Sequence, residues 1–134
     1  MTNHQTHRIP ILLQVLLVLA FVASAGVSLA NNADLKIRLV SAPGFGAVEA
    51  SAKYRDRSGT QSFEAGVNNA LGLAGMVLTV SVDGKAVGTF TVSVLGVGDL
   101  TLDTQLGQVV PRIRSGSLVE IRTSSGLLVA SGKF

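Results

Sequence analysis

Charged side chains hold most of the chemistry that this sequence offers, and their densest cluster is Lys53-Tyr54-Arg55-Asp56-Arg57. Side chains alternate between the two faces of an extended strand, so Lys53, Arg55 and Arg57 share one face. This basic stripe is a candidate surface for an acidic glycan or an anionic lipid. We favour the other interpretation, a solvated strand face or edge-strand charges that keep sheets from associating. Arg112 and Arg114 would extend the stripe if their segment lay beside it.

The acidic residues offer little catalytic chemistry. There are eight, and a glycosidase-type hydrolase needs two carboxyls about 5–10 Å apart across a cleft. Asp99 and Asp103 carry oxygen ligands of the kind Ca²⁺ prefers, but four residues of strand hold their Cα atoms about 13 Å apart. The glycines at 44–46 and 96–98 lack the third glycine and the following helix of a nucleotide loop. We therefore predict no catalytic residue, no metal site and no cofactor.

The composition excludes several further classes of protein. The chain has no cysteine and no tryptophan, and its two histidines, His4 and His7, lie at the extreme amino terminus. Thiol catalysis, disulfides and cysteine-bound metals are therefore absent. A single tyrosine offers few platforms on which sugars or bases could stack. The net charge of +3 is too mild to predict a nucleic-acid partner.

The first thirty residues have the pattern of a secretory signal peptide. A polar segment ends in Arg8, an apolar run follows over 9–23, and small residues occupy 24–30. Cleavage after Ala25 or after Ala30 fits the pattern. We favour the Ala30–Asn31 bond, because Asn31 opens a polar segment. This predicts a signal peptide at 1–30, one domain at 31–134, and a secreted or periplasmic protein. The alternative is an uncleaved membrane anchor, and only that alternative predicts contact with a membrane.

Hydrophobic residues alternate with polar ones through most of residues 31–134. This period of two is typical of strands that bury one face. The predicted inward residues are Leu35, Ile37, Leu39, Val48, Ala50, Ala52, Tyr54, Phe63, Ala65, Val67, Met76, Leu78, Val80, Val82, Phe90, Val92, Val94, Leu100, Leu102, Val119, Ile121, Leu128, Ala130 and Phe134. Val129, Ser131 and Lys133 are predicted to face outward.

Turn residues separate these runs and predict hairpins. Asp83-Gly84 is the strongest hairpin signal, with weaker ones at Ser58-Gly59 and Ser125-Gly126. Residues 68–75 fit a loop or one short helical turn. With no sustained helical period, we predict an all-β protein. Its most favoured architecture is an antiparallel β-sandwich of about eight short strands built from hairpins; the alternative is a small barrel.

A series of turn and core motifs runs through the last two thirds of the chain: Val87-Gly88-Thr89-Phe90, Gly98–Thr104, Gly107-x-x-Val110-Pro111, Gly116-x-x-Val119 and Gly126-x-Leu128-x-x-Ser131-Gly132-x-Phe134. With these motifs the chain resembles a family of small secreted bacterial β-proteins that has no assigned activity. The resemblance implies a shared fold and export. It assigns no catalytic or binding residue.

The sequence thus predicts an exported, non-enzymatic module with a structural or protein-interaction role at the cell envelope. Its expected partner is an envelope protein or a second copy of the chain. Two alternatives stay open: a soluble module that binds a glycan or small ligand, and a small hydrolase that uses carboxylates alone.

Overall fold

Antiparallel strands make up nearly all of the regular structure of this protein. The computed structural model describes residues 32–134; the predicted signal peptide and its Ala30–Asn31 cleavage site lie outside them. The strands are β1 Ala33–Ser41, β2 Glu49–Arg57, β3 Thr60–Asn68, β4 Val77–Val82, β5 Lys85–Thr91, β6 Gly98–Asp103, β7 Leu118–Thr123 and β8 Leu128–Lys133. Short 3₁₀ turns at Leu71–Leu73 and Thr104–Leu106 are the only helical elements of the described residues. The all-β prediction is confirmed.

The eight strands form one sheet in the order β5-β4-β7-β8-β1-β2-β3-β6. Strand β1 joins its two halves, because residues 33–39 pair with β2 while Val40 and Ser41 pair with β8. The outermost strands, β5 and β6, pack against each other without sharing a ladder. The sheet is therefore a nearly closed, barrel-like one, and the predicted division into two facing sheets is not confirmed.

The predicted alternation accounts for most of the core. Fully enclosed side chains come from both halves of the sheet, the largest being Phe63, Leu78, Val80, Val92, Val119, Ile121 and Val129. The connection at 104–117 adds Ile113 to this core. Because each strand presents one apolar face, curling the sheet removes all these faces from water together.

Four residues depart from the prediction: Leu35 and Met76, predicted to face inward, stay exposed at 36% and 38%, and the orientations of Val129 and Val94 are wrong for different reasons. Val129 is fully buried, because the β7–β8 register shifts at Ile121/Arg122 and makes Val129 an extra residue, so that Val129 and Ala130 are both buried and the alternation is interrupted. Val94 is 82% exposed. Strand β5 ends at Thr91, and a tight turn in which the Ser93 amide donates to the Val97 carbonyl follows it.

The predicted hairpin turns at Ser58-Gly59 and Asp83-Gly84 are confirmed; each connects two strands with two residues. Asp83 and Gly84 have φ angles of 51° and 81°, and Ser58 and Gly59 have 52° and 86°. Positive φ at both positions is the requirement of a type I′ turn. Asp83 also accepts a hydrogen bond from the Leu118 amide, which fixes the β4–β5 turn against β7. Among residues 32–134, no helix is long and apolar enough to cross a membrane.

Candidate functional site

The basic stripe lies on the outer face of β2. Lys53, Arg55 and Arg57 alternate there with Tyr54, whose ring is buried on the opposite face. Strand β2 is flanked by β1 and β3, so the stripe does not protect a sheet edge. Arg55 Nε and Arg57 Nη2 lie 3.7 and 3.1 Å from the same carboxylate oxygen of Asp34. Part of the stripe's charge is therefore balanced by a neighbouring strand.

Strand β1 places two more basic side chains beside the stripe. The sequence did not predict this neighbourhood. Lys36 pairs with Lys53, and Arg38 pairs with Ser51. The alternation of Leu35, Ile37 and Leu39 already indicates that Lys36 and Arg38 face outward. What the sequence does not reveal is the register that sets them beside β2. We call Lys36, Arg38, Lys53, Arg55 and Arg57 the basic surface.

Arg112 does not extend this surface. Arg112 is exposed, and it lies close enough to Tyr54 to act on the ionisation of that residue's hydroxyl. Burial raises the pKa of the Tyr54 hydroxyl above its ordinary 10.0; the negative charge of Asp56 adds to this, and the positive charge of Arg112 opposes it. Arg112 and Asp56 thus form part of the surroundings of a core tyrosine.

Acidic groups occupy the outer face of the neighbouring strands. Glu64 of β3 and Asp99 of β6 both approach the Thr101 hydroxyl, at 3.4 and 3.0 Å from its oxygen. Asp103 has a structural task, because its carboxylate accepts the Gln105 amide and caps the 3₁₀ turn. Asp99 and Asp103 do not converge. No group of three metal-ligating side chains comes together within residues 32–134.

A shallow trough of about 540 Å³ separates the basic from the acidic side of this face. One row of paired residues crosses it: Arg38, Ser51, Gly66 and Asp99, on four successive strands. Its floor is low because Ser51 is small and Gly66 has no side chain. A Cβ at Gly66 would lie 2.7 Å from both Asp99 Cβ and the Gly98 carbonyl oxygen. Because Gly66 has no Cβ, Asp99 can occupy the space beside it.

A second concave region lies near the seam between β5 and β6, where residues 109–112 of the connection after β6 face the β4–β5 hairpin. Near Gly98 the seam is tight, since a Cβ there would lie 2.7 Å from Phe90 Cδ2 and 2.9 Å from the Thr91 carbonyl oxygen. Further along, beside the start of β5, a pocket of about 560 Å³ opens. Its lining is mainly apolar: Val82, Ala86, Val87, Val109, Val110 and Pro111, with Asp83, Lys85 and Arg112 at its margins. We call it the seam pocket.

Exposed apolar side chains also gather on two connections. Leu71 lies on the 69–76 segment, and Val94, Leu95 and Val97 lie on the 92–97 segment. The Ala70 amide donates to the Gly96 carbonyl, so the two segments are held together. We call this group the loop cluster. It is an apolar surface without a groove of its own.

Comparisons with protein-family models, with curated proteins and with solved structures find no match for this chain. The fold and these surfaces are therefore the basis on which a function can be argued.

Proposed function

We propose that this protein is an exported, non-enzymatic interaction module of the cell envelope, and that it binds an extended segment of a partner protein at the β5–β6 seam. The observation that carries the proposal is an apolar pocket beside the first residues of β5, the stretch of this terminal strand where no β6 residue lines the pocket. The signal-like pattern of residues 1–30 supports the export part of the proposal.

The edge of β5 supplies the backbone part of such an interaction. Strand β5 pairs with β4 on one side, and it is the terminal strand of the sheet on the other. A terminal strand presents backbone N–H and C=O groups that an added strand can pair with. The loop cluster offers apolar side chains without such an edge, which is why we place the partner at the seam.

The seam pocket supplies specificity. Val87, Val109 and Val110 provide a lining for an apolar side chain of the bound segment. Lys85 and Arg112 stand at its margin, while the Asp83 carboxylate is occupied by the Leu118 amide. We therefore expect the partner segment to carry an apolar residue followed or preceded by an acidic one.

The acidic residues support the non-enzymatic part of the proposal. A carboxylate-only hydrolase relies on a carboxyl that is shielded from water, so that one acid stays protonated. Glu64 and Asp99 are near neighbours, but both are exposed on an open face of the sheet. Their position suits binding of a charged group better than proton transfer.

Site-specific photocrosslinking in the native host tests the proposal. A photoreactive residue at Val109, which lines the pocket and is 88% exposed, should give an adduct of one defined mass. Leu106 is the matched control, because it is 72% exposed on the same connection but does not line the pocket. A third position, Leu95, reports on the loop cluster.

An adduct from position 109, absent from position 106 and lost on Ala86→Asp, is the expected result. The partner segment, identified by mass spectrometry and made as a peptide, should then bind the purified protein with the same dependence on Ala86. Crosslinking from position 95 alone, or equally from 106 and 109, would overturn the placement at the seam.

A further inference from the structure

The trough on the outer face of β1, β2, β3 and β6 has opposite charges at its two ends. Arg38 and Lys36 stand on β1, and Asp99 and Glu64 stand on β6 and β3. We propose that the trough binds a short peptide of three or four residues through its free termini. Its carboxylate would lie at Arg38 and Lys36, and its ammonium group at Asp99 and Glu64.

Lys53 on β2 lies directly opposite Glu64, and Glu49 also lines the trough, but neither Lys53 nor Glu49 forms a salt bridge among the described residues. Three strand spacings of about 4.8 Å separate β1 from β6, which places the Cα atoms of Arg38 and Asp99 about 14 Å apart. Within residues 32–134, neither these two residues nor Lys36 and Glu64 form a salt bridge. Arg55 and Arg57, by contrast, are already paired with Asp34. Each end therefore has a charge available for a ligand.

The acidic end matches an ammonium group in particular. Glu64 and Asp99 converge on the Thr101 hydroxyl, which has one proton to donate and cannot satisfy both carboxylates. An ammonium group has three N–H donors, enough for both carboxylates at once. The basic end matches a carboxylate, since the planar guanidinium of Arg38 can bind one with two parallel hydrogen bonds.

The length of the trough selects the size of the peptide. An extended peptide covers about 3.4 Å per residue, so four residues span about 14 Å and three span about 10 Å. The side chains of Arg38 and Asp99 shorten the distance to be bridged. The floor between them presents the Ser51 hydroxyl and, at Gly66, bare backbone, so the ligand can approach the sheet closely.

A second copy of the chain is the competing occupant, because a twofold axis would set the basic side of one face against the acidic side of the other. The concave shape of the trough favours the peptide over a second copy. Two copies of the same trough placed face to face would leave both floors unfilled, whereas a peptide fills one. This inference concerns another face of the sheet and does not depend on the seam.

Calorimetric titration with tetra-alanine tests the inference, using three forms: both termini free, amino terminus acetylated, and carboxyl terminus amidated. The free form should bind with a Kd in the range of about 0.1–1 mM. Each cap should weaken binding by up to about fivefold, the factor that corresponds to about 1 kcal/mol for one exposed ion pair. Raising the salt concentration should weaken the free form most.

Variants of the trough complete the test. Arg38→Gln should abolish the difference between free and amidated peptides, and Asp99→Asn the difference between free and acetylated peptides. Ser51→Leu should block all binding by filling the floor without straining the backbone. Glu120→Gln and Lys133→Gln, which remove one charge of each sign from the other half of the sheet, should bind like the wild type.

Three outcomes would overturn the inference. The first is equal binding of the free, the acetylated and the amidated peptides. The second is no binding at about 10 mM peptide, which is weaker than any specific site of this kind. The third is a dimer in sedimentation that Arg38→Gln and Asp99→Asn both dissociate, because the trough would then be covered by a second copy. Urea unfolding of each variant verifies that the fold is intact.

Discussion

Alanine at Gly98 should destabilise the protein by closing a seam that has no room for it. A Cβ at this position would meet a ring carbon of Phe90 at 2.7 Å and the Thr91 carbonyl oxygen at 2.9 Å. The ring can turn aside, but the carbonyl belongs to the backbone of β5, so the strand itself must move. Overpacking of this kind costs about 1–3 kcal/mol.

A second effect of the same substitution opposes this cost. Gly98 does not have a positive φ angle, so alanine fits its backbone conformation. Restricting the unfolded chain then contributes about 0.4–1 kcal/mol of stability. The net expectation is a loss of about 1–2 kcal/mol. For a small domain this lowers the midpoint of urea unfolding by about 0.5–1.5 M.

Two other glycines serve as comparisons in the same assay. At Gly88 a new Cβ would meet only the terminal carbons of Leu100, at 2.8 and 2.9 Å, and a flexible side chain can give way. Gly46 has nothing within 4 Å and no positive φ. Gly88→Ala should change stability by less than about 1 kcal/mol, and Gly46→Ala should stabilise slightly. If Gly98→Ala unfolds at the same urea concentration as Gly46→Ala, the reasoning about the seam is refuted.

Two further predictions concern the structure, and a third concerns the signal peptide predicted from the sequence. In a spectrophotometric titration Tyr54 should ionise above pH 10, and Arg112→Gln should raise the pKa of Tyr54 further. Because the folded protein favours the neutral hydroxyl, the stability that depends on it should be lost as pH rises through that range. Ionisation at or below pH 10 would contradict the burial argument. Asp34→Asn should cost less than about 1 kcal/mol, because its ion pairs are exposed; a larger loss in urea unfolding would show that they are not surface pairs. Amino-terminal sequencing of the native protein should find Asn31 first, with Gly26 as the alternative and Met1 as the result that refutes a cleaved signal peptide.

The strands and tight turns were accessible from the sequence because their causes are local. Phe63, Ala65 and Val67 are buried as the alternation predicts, and Asp83-Gly84 turns the chain as its residue types require. Val129 was misplaced because a register shift leaves no mark in the hydrophobic pattern. The extra residue is defined only by pairing with β7, and the sequence of β8 alone does not specify that pairing.

The candidate sites depend on pairings between strands that are distant in sequence. The trough exists because β3 pairs with β6 and so brings Asp99 beside Gly66. The seam exists because β4 pairs with β7, which leaves β5 at the end of the sheet. Alternation indicates which side chains face outward but not which strand lies next to which. The sequence therefore predicted the basic stripe on β2 but neither its neighbours on β1 nor the acidic residues across from it.

The place of β1 between the two halves of the sheet also sets the order in which the protein can fold. Strand β1 meets β2 soon after both have been synthesised, but its last residues need β8, which ends at Lys133. The final residue, Phe134, is itself bonded to Gly116 and Ser117 through its backbone. Contacts between sequence-distant segments form late and slowly. The two halves of the sheet consequently stay unjoined until β8 has formed.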